Sequence, residues 1–494
     1  MILDRFREVA NQHWDELAIV DNGERITFGR LAGEAARHRT WLKAALDPQP
    51  GDVIAITMLN CWQFVACILA LSDLRAVIMP CNPQWRGQEL RELATRIAFR
   101  GVVAARQFHS EWELAGGVPG GHLASIEDAL KCDADLTNPH AAARGSLEDP
   151  ALYLATSGST GRPRIVPLSN RNLLAATRNG ALGMRLAPTD RILSVVPYYH
   201  LHGFNNGLLT PLLKGASVVI MRHFAPEEYA ELAAREGVNV LIGSPFIFSH
   251  LTDRVSNRGL FERARLCISS GARLPPAVGY RWKERFGSAI IQWYGTSETS
   301  GIAIASAPRE PSPELGGEYV GVRLPSVEVR CLDSEGNDVG VNRLGEIAVR
   351  SQAVMPGYLG ESELNQRLFR DGFFRTGDLG YLDSEGGLYL KGRIGRLINM
   401  GGLKVDPVEV ERAVEALPAV AAVHVDAVSG GRAGEVIRAR VVVRPGLSLT
   451  RADVIEQCRN MLSEYKLPRI IEFVDSLPVT VAGKIPQNMS PSAG

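Results

Sequence analysis

The sequence lacks the features that would place it in several large classes of protein. Its seven cysteines, at 61, 67, 81, 132, 267, 331 and 458, are odd in number and include no CxxC pair. That pattern argues against a disulfide framework or a cysteine zinc site, and it fits reduced thiols in a cytoplasmic protein. Neither sign of charge is in excess, since 54 lysines and arginines balance 54 aspartates and glutamates. Nucleic acid is therefore set aside as a partner. No hydrophobic run is long enough to cross a bilayer: the most apolar stretch, Phe64–Met79, is short and carries Asp73 and Arg75. The opening MILDRFREVANQHWDE has no signal-peptide core. Neither phosphate-binding pattern, GxGxxG or GxxxxGK[ST], is present, and there is no solenoid repeat.

What is present is an ordinary globular composition over 494 residues, enough for one large domain and a smaller one. Between residues 50 and 300, short β-rich runs alternate with helical patterns. VIAITML (53–59) reads as a buried strand and CWQFVACILALSDL as the helix after it. SVVI (217–220), NVLIG (239–243), LCIS (266–269) and AIIQWY (289–294) read as further strands, with amphipathic stretches such as PEEYAELAAREG between them. Such alternation predicts an α/β fold of parallel strands with helical crossovers, covered on both faces.

From about Gly317 the pattern becomes β-rich. LDSEG occurs at 332–336 and again at 382–386 between strand-like runs, and both copies read as hairpin turns, not as catalytic acid pairs. The last hundred residues read as a small α+β unit. Asp406-Pro407-Val408-Glu409 is a helix start, with Asp as N-cap, Pro in the first turn and Glu at the third position. Helices over 407–416 and 451–462 and strands near 419–428, 436–443 and 470–474 follow from the pattern. The boundaries read from the sequence are 1–391 for the large domain, 392–396 for a hinge and 397–494 for the small domain.

Three segments carry chemistry. LYLATSGSTGRPRIV (152–166) puts small, hydroxylated and cationic residues between two apolar runs. Its backbone N–H groups and hydroxyls can cradle an anion, with Arg162 and Arg164 adding charge. In Tyr294-Gly295-Thr296-Ser297-Glu298 the ring can stack on a base, the hydroxyls can hold phosphate and the carboxylate can ligate Mg²⁺. Phe374-Arg375-Thr376-Gly377-Asp378 offers a carboxylate suited to vicinal ribose hydroxyls.

With PYYHLHG (197–203), GEIAVR (345–350), MPGY (355–358), GRIGRLINMGG (392–402) and LPVTVAGK (477–484), these segments stand in a fixed order over most of the chain. The chain resembles the adenylate-forming superfamily of acyl-CoA synthetases, adenylation domains and luciferases. The resemblance implies a large N-terminal domain with a β-rich part, a small mobile C-terminal domain, and two half-reactions. A carboxylate attacks the α-phosphorus of ATP, with Mg²⁺, to give acyl-AMP and pyrophosphate; the thiol of CoA then takes the acyl group.

By resemblance, Thr156, Ser157, Gly158, Ser159, Thr160, Gly161 and Arg164 would hold the β- and γ-phosphates. Tyr294 and Gly295 would face the adenine, with Gly271 and Ala272 on its other side. Thr296 and Ser297 would meet the α-phosphate, Glu298 would hold Mg²⁺, and Asp378, helped by Arg393, would take the ribose. Lys484 would bridge the substrate carboxylate and the α-phosphate. Gly401 and Gly402 would line the pantetheine path, and Gly395 would occupy the hinge. Arg164 stands where the family usually has Lys, and Gly395 where it has Asp or Lys.

His200 and His202 sit at i and i+2, one face of a strand if the segment is extended. No third ligand lies nearby, so a metal site is disfavoured, and the resemblance places His200 beside the acyl pocket with Phe204, Trp293 and Gly301. The pocket is expected to run along His200–Asn205, Ser244–Phe246, Ser270-Gly271, Trp293 and Ser300–Ile302. Its apolar and small residues favour an uncharged or weakly polar acyl chain over a second carboxylate, and the bulk of Trp293 favours a short, medium or aryl acid. The alternatives to a CoA ligase are an acyl-AMP ligase that loads an acyl carrier protein and a non-catalytic nucleotide-binding relative.

Overall fold

The computed structural model describes residues 1–117, 121–132, 145–156, 163–307, 309–394, 398–400, 403–429, 435–462 and 464–477. Two sheets organise the large domain. The first takes Val53–Thr57, Val77–Pro80, Phe99–Ala104 and His122–Ser125 in parallel and ends in an antiparallel hairpin, Pro150–Thr156 with Arg164–Ser169. The second begins as a parallel array of Leu17–Asp21, Ser217–Ile220, Arg191–Ser194, Val240–Gly243, Leu266–Ser269 and Ile290–Tyr294. Most residues in the parallel strands are buried, as helices on both faces require.

The helix predicted after VIAITML is Trp62–Asp73, apolar nearly all round. Such a helix must be enclosed on every side. Accordingly, the Phe64 ring meets Tyr198 at 5.2 Å and Phe204 at 6.3 Å, joining the first sheet to the segment after Arg191–Ser194.

The β-rich region is not a separate layer. After Ile290–Tyr294 the pairing turns antiparallel, and the second sheet continues through Ala303–Ile304, Glu318–Arg323, Gly387–Arg393, Phe373–Leu382, Gly345–Arg350 and Glu328–Leu332. The YGTSE segment therefore stands at the junction of the parallel and antiparallel halves. Both LDSEG copies are turns: Asp333 accepts from the N–H groups of Glu335 and Asn337, and Asp383 accepts from those of Glu385 and Gly387.

The small unit has its own core, built on Val410, Val414, Ile437, Val441 and Val454. Its helices Pro407–Glu415 and Arg451–Met461 and strands Val420–Ser429, Glu435–Val443 and Ile470–Phe473 lie within a residue or two of the sequence-based bounds. Asp406 caps the first helix, accepting from Val408 N–H at 3.0 Å. Glu409 does not close a capping box; its carboxylate pairs with Lys391 at 2.6 Å and also with Lys466.

Candidate active site

The carboxyl ends of the parallel strands converge on one side of the molecule, which is where open α/β sheets place their ligands. A cavity of about 570 Å³ opens there. Its walls are the segments that follow strands of both sheets: Met58–Asn60, Asn82–Gln84, Gln107-Phe108, Val195–Pro197 with Tyr199, Arg222–Phe224, and Ser244 with Phe246 and Ile247. The lining is mainly aromatic, aliphatic and amide. Among the described residues its one arginine, Arg222, pairs with the buried Asp21 at 3.2 Å, so they offer no unpaired guanidinium to a second carboxylate.

Beside this cavity, the register of Ser269 against Gln292 sets residues 270–272 next to 293–295. Gly271 turns with φ +87°. A side chain at Gly295 would meet Gly301 Cα at 2.6 Å, so two backbone turns pack directly and only glycine fits. The YGTSE turn is stapled by Thr299, whose hydroxyl accepts from Thr296 N–H at 3.0 Å, while Ser300 N–H returns to Thr296 O at 3.0 Å.

Asp378 reaches this turn because its strand bulges. Glu346 pairs with Leu379 but Ala348 with Arg375, so the ladder shifts across residues 376–378, and a bulge of this kind re-aims a side chain. Thr376 Oγ1 donates to Ile347 O at 2.8 Å and accepts from Asp378 N–H at 3.0 Å, while Gly377 N–H donates to Glu346 Oε1 at 3.1 Å. The Asp378 carboxylate then accepts from the Tyr294 phenol at 2.6 Å and faces Arg393 at 3.4 Å. Burial and the neighbouring Asp378 charge push the Tyr294 phenol well above its ordinary pKa, so it stays a donor. Tyr294, Gly295, Asp378 and Arg393 are thus brought together as the sequence reading requires.

Glu298 follows on the same turn. One oxygen accepts from the Tyr358 phenol at 2.6 Å, and no other partner occupies the remaining oxygen among the bonds of the described residues. A carboxylate held by one oxygen fits a divalent-cation ligand. The phosphate-loop segment connects in-register strand ends, Thr156 opposite Arg164. Thr156 Oγ1 donates to Arg164 O at 3.3 Å. Ser157, Gly158, Ser159, Thr160 and Gly161 lie outside the described residues, as do Gly395, Gly401, Gly402 and Lys484. The strands flanking 401–402, Ile398–Met400 and Leu403–Val405, pair antiparallel.

The residues expected at the acyl pocket fall in different places. Ser244 and Phe246 line the cavity, and the Tyr199 ring that lines it contacts His200 at 4.5 Å. The HLHG segment is not a strand: His202–Leu209 is a π-helix, so His200 and His202 do not share a strand face. His202 bonds along that helix to Asn206 at 3.2 Å, and burial lowers its pKa to about 4. Phe204 is fully enclosed against Phe64 and belongs to the core, not the pocket wall. Trp293 is also buried, its indole beside Gly183 and Gly301. Gly301 therefore makes room for Trp293.

The sequence reading gave no role to three residues that organise the site. Tyr358 was present in the MPGY motif and Arg273 directly follows Gly271-Ala272, while Glu346 acts only through the bulge.

Comparison with known proteins gives the same picture. Residues 6–359 match the family model of the AMP-binding enzymes, and residues 409–484 match that of their C-terminal domain. A probable CoA ligase of Humulus lupulus is 31% identical, over 97% of this chain and 94% of its own. A sulfoacetate–CoA ligase of Cupriavidus necator is 31% identical, over 94% and 92%. The ATP-bound crystal structure of MatB from Rhodopseudomonas palustris superposes with a TM-score of 0.89 at 28% identity, covering 99% of this chain and 98% of that one.

Proposed function

The chain belongs to the AMP-binding enzyme family, and on that premise we propose that it is an AMP-forming carboxylic acid:CoA ligase whose substrate carries an uncharged or weakly polar acyl chain of short, medium or aryl type. The observation that carries the reading is the meeting of Tyr294, Asp378 and Arg393 at the sheet junction, beside a cavity floored by strand ends. That geometry supplies an aromatic face for the adenine and an acceptor for the ribose, with room alongside for an acyl group.

The chemical difficulty is that a carboxylate must approach a polyphosphate. Cations and N–H donors must neutralise charge as it passes to the leaving pyrophosphate. Ser297 would bind the α-phosphate, and residues 156–164 would hold the β- and γ-phosphates. Glu298 would hold Mg²⁺, which when bound neutralises phosphate charge. Asp378 orients the nucleoside, and its Tyr294 bond yields to the ribose hydroxyls or shares the carboxylate with them. Lys484 supplies the positive charge between the two reacting anions.

Once acyl-AMP has formed, the CoA thiol attacks the acyl carbon and AMP leaves. Gly401 and Gly402 would border the thiol's path, and a glycine at 395 would ease a turn at the boundary 392–396. The cavity lining supports an uncharged acyl chain because its aromatic and amide surface holds no unpaired arginine.

Pyrophosphate exchange into ATP, followed by AMP release, measured over a carboxylate panel with and without CoA, tests the reading. The expected result is exchange with a monocarboxylate whose acyl chain is uncharged, and AMP formation that requires CoA. Lys484→Ala should lower adenylate formation by about 10²-fold or more. Full turnover in a folded Lys484→Ala variant would overturn the mechanism.

A further inference from the structure

The MPGY segment has no role in the chemistry just described, yet the structure ties it to that chemistry from both sides. Met355 N–H donates to Glu298 O at 2.8 Å, and the Tyr358 phenol donates to Glu298 Oε1 at 2.6 Å. The same segment is tied to the phosphate-loop hairpin, where Leu359 N–H donates to Ile165 O at 3.0 Å and the Arg164 guanidinium lies 5.4 Å from the Tyr358 ring centroid. Tyr358 is itself fixed, because Asn365 accepts from its N–H and donates to its C=O, both at 2.8 Å. The ring is buried.

We propose that Tyr358 is a positioning residue for the metal-binding carboxylate Glu298, and that Arg164 braces it from the phosphate loop. This rests on the reading of Glu298 as the Mg²⁺ ligand. The phenol takes one lone-pair direction of the carboxylate and leaves Oε2 to the ion, in an orientation set before nucleotide arrives. A hydrogen bond to a ligating carboxylate fixes its geometry and tunes its affinity. Arg164 suits the brace because a planar guanidinium lies flat on an aromatic ring as an ammonium does not. The Arg that replaces the family's usual Lys thereby gains a second contact, and the phosphate loop and the metal ligand are joined through one side chain.

The test is the Mg²⁺ dependence of ATP binding, measured by calorimetry on the full-length protein, alongside the Mg²⁺ dependence of pyrophosphate exchange. Tyr358→Phe should raise the Mg²⁺ concentration needed for half-maximal ATP affinity by about 10-fold, with an unfolding temperature within about 2 °C of wild type. Arg164→Lys should raise it about threefold and add little to Tyr358→Phe in the double variant. A wild-type Mg²⁺ requirement in Tyr358→Phe, with the requirement lost in Glu298→Gln, overturns the positioning role and leaves Glu298 as ligand. A wild-type requirement in Glu298→Gln itself overturns the ligand assignment and the proposal with it. Should Tyr358→Phe melt early, Asn365→Ala keeps the phenol, loosens its backbone and is read in the same way.

Discussion

Arg273 donates to Glu415 at 2.9 Å and pairs with Glu318 at 3.1 Å, so the residue next to the Gly271-Ala272 turn grips the first helix of the small unit. Arg412 completes the cluster, donating to Gly317 O at 2.9 Å and lying 3.7 Å from Glu318. Burial raises the Glu318 and Glu415 pKa values above their ordinary range despite these cations.

Removing one member should show which charge holds the rest. Arg273→Ala leaves two buried carboxylates with Arg412 alone, and should cost about 3 kcal/mol or more in calorimetric unfolding. Glu415→Ala leaves Arg273 paired with Glu318 and should cost less. Proteolysis at residues 392–396 should quicken in the same order. Equal effects would mean that Glu318 and Glu415 are not held by a shared cation.

Asp378 is expected to control nucleotide affinity. Asp378→Asn keeps the size of the side chain but removes the charge that strengthens its hydrogen bonds. The KM for ATP should rise roughly 10- to 100-fold, the equivalent of about 1.5–3 kcal/mol, while the KM for CoA stays within about twofold. Steady-state kinetics with each substrate varied in turn checks this.

Trp293 should set the length limit of the acid. Its indole fills the space beside Gly183 and Gly301, and on the proposed placement of Trp293 at the end of the acyl pocket, Trp293→Leu would open that space to the acid. The ratio of kcat/KM for an acid two methylenes longer to that for the best native acid should rise about 10-fold or more. An unchanged ratio would place the acyl chain elsewhere.

Two buried groups titrate in opposite directions. His38, enclosed between Trp41 and Trp62, has its pKa lowered by burial from 6.5 to about 4. The unfolded chain binds that proton more readily, so the large domain loses stability as pH falls from 6.5 to 4, by about 3 kcal/mol at the limit. Asp406 has its pKa raised by burial from 3.8 to about 6. There the folded chain binds the proton more readily, so the small unit gains stability as pH falls from 6 to 3.8, by a similar amount. Calorimetry at pH 7, 5.5 and 4.5 should show the transitions of the two units shifting in opposite senses. Asp406→Asn, which keeps a capping side chain, should flatten the response of the small unit.

Much of this protein was legible in its sequence because local rules fix it. Alternating apolar runs gave five of the parallel strands to within two residues, and Asp406-Pro407 marked a helix start that the backbone adopts. The LDSEG turns follow from the hydrogen bonds an Asp makes to its own neighbours. The positions of Tyr294, Glu298 and Asp378 came from motifs whose residue types suit a nucleotide.

Tertiary structure alone decided the rest, because those outcomes depend on contacts between residues far apart in the chain. The segment at 202–209 is a π-helix, so His200 and His202 share no strand face, and Phe204 is packed in the core against Phe64, 140 residues earlier. Asp378 meets Tyr294 only because a bulge against Glu346 turns it. The Tyr358–Glu298 bond and the Arg273–Glu415 pair join segments 60 and 142 residues apart. A sequence pattern records which groups are available; the packing of the two sheets determines which of them meet.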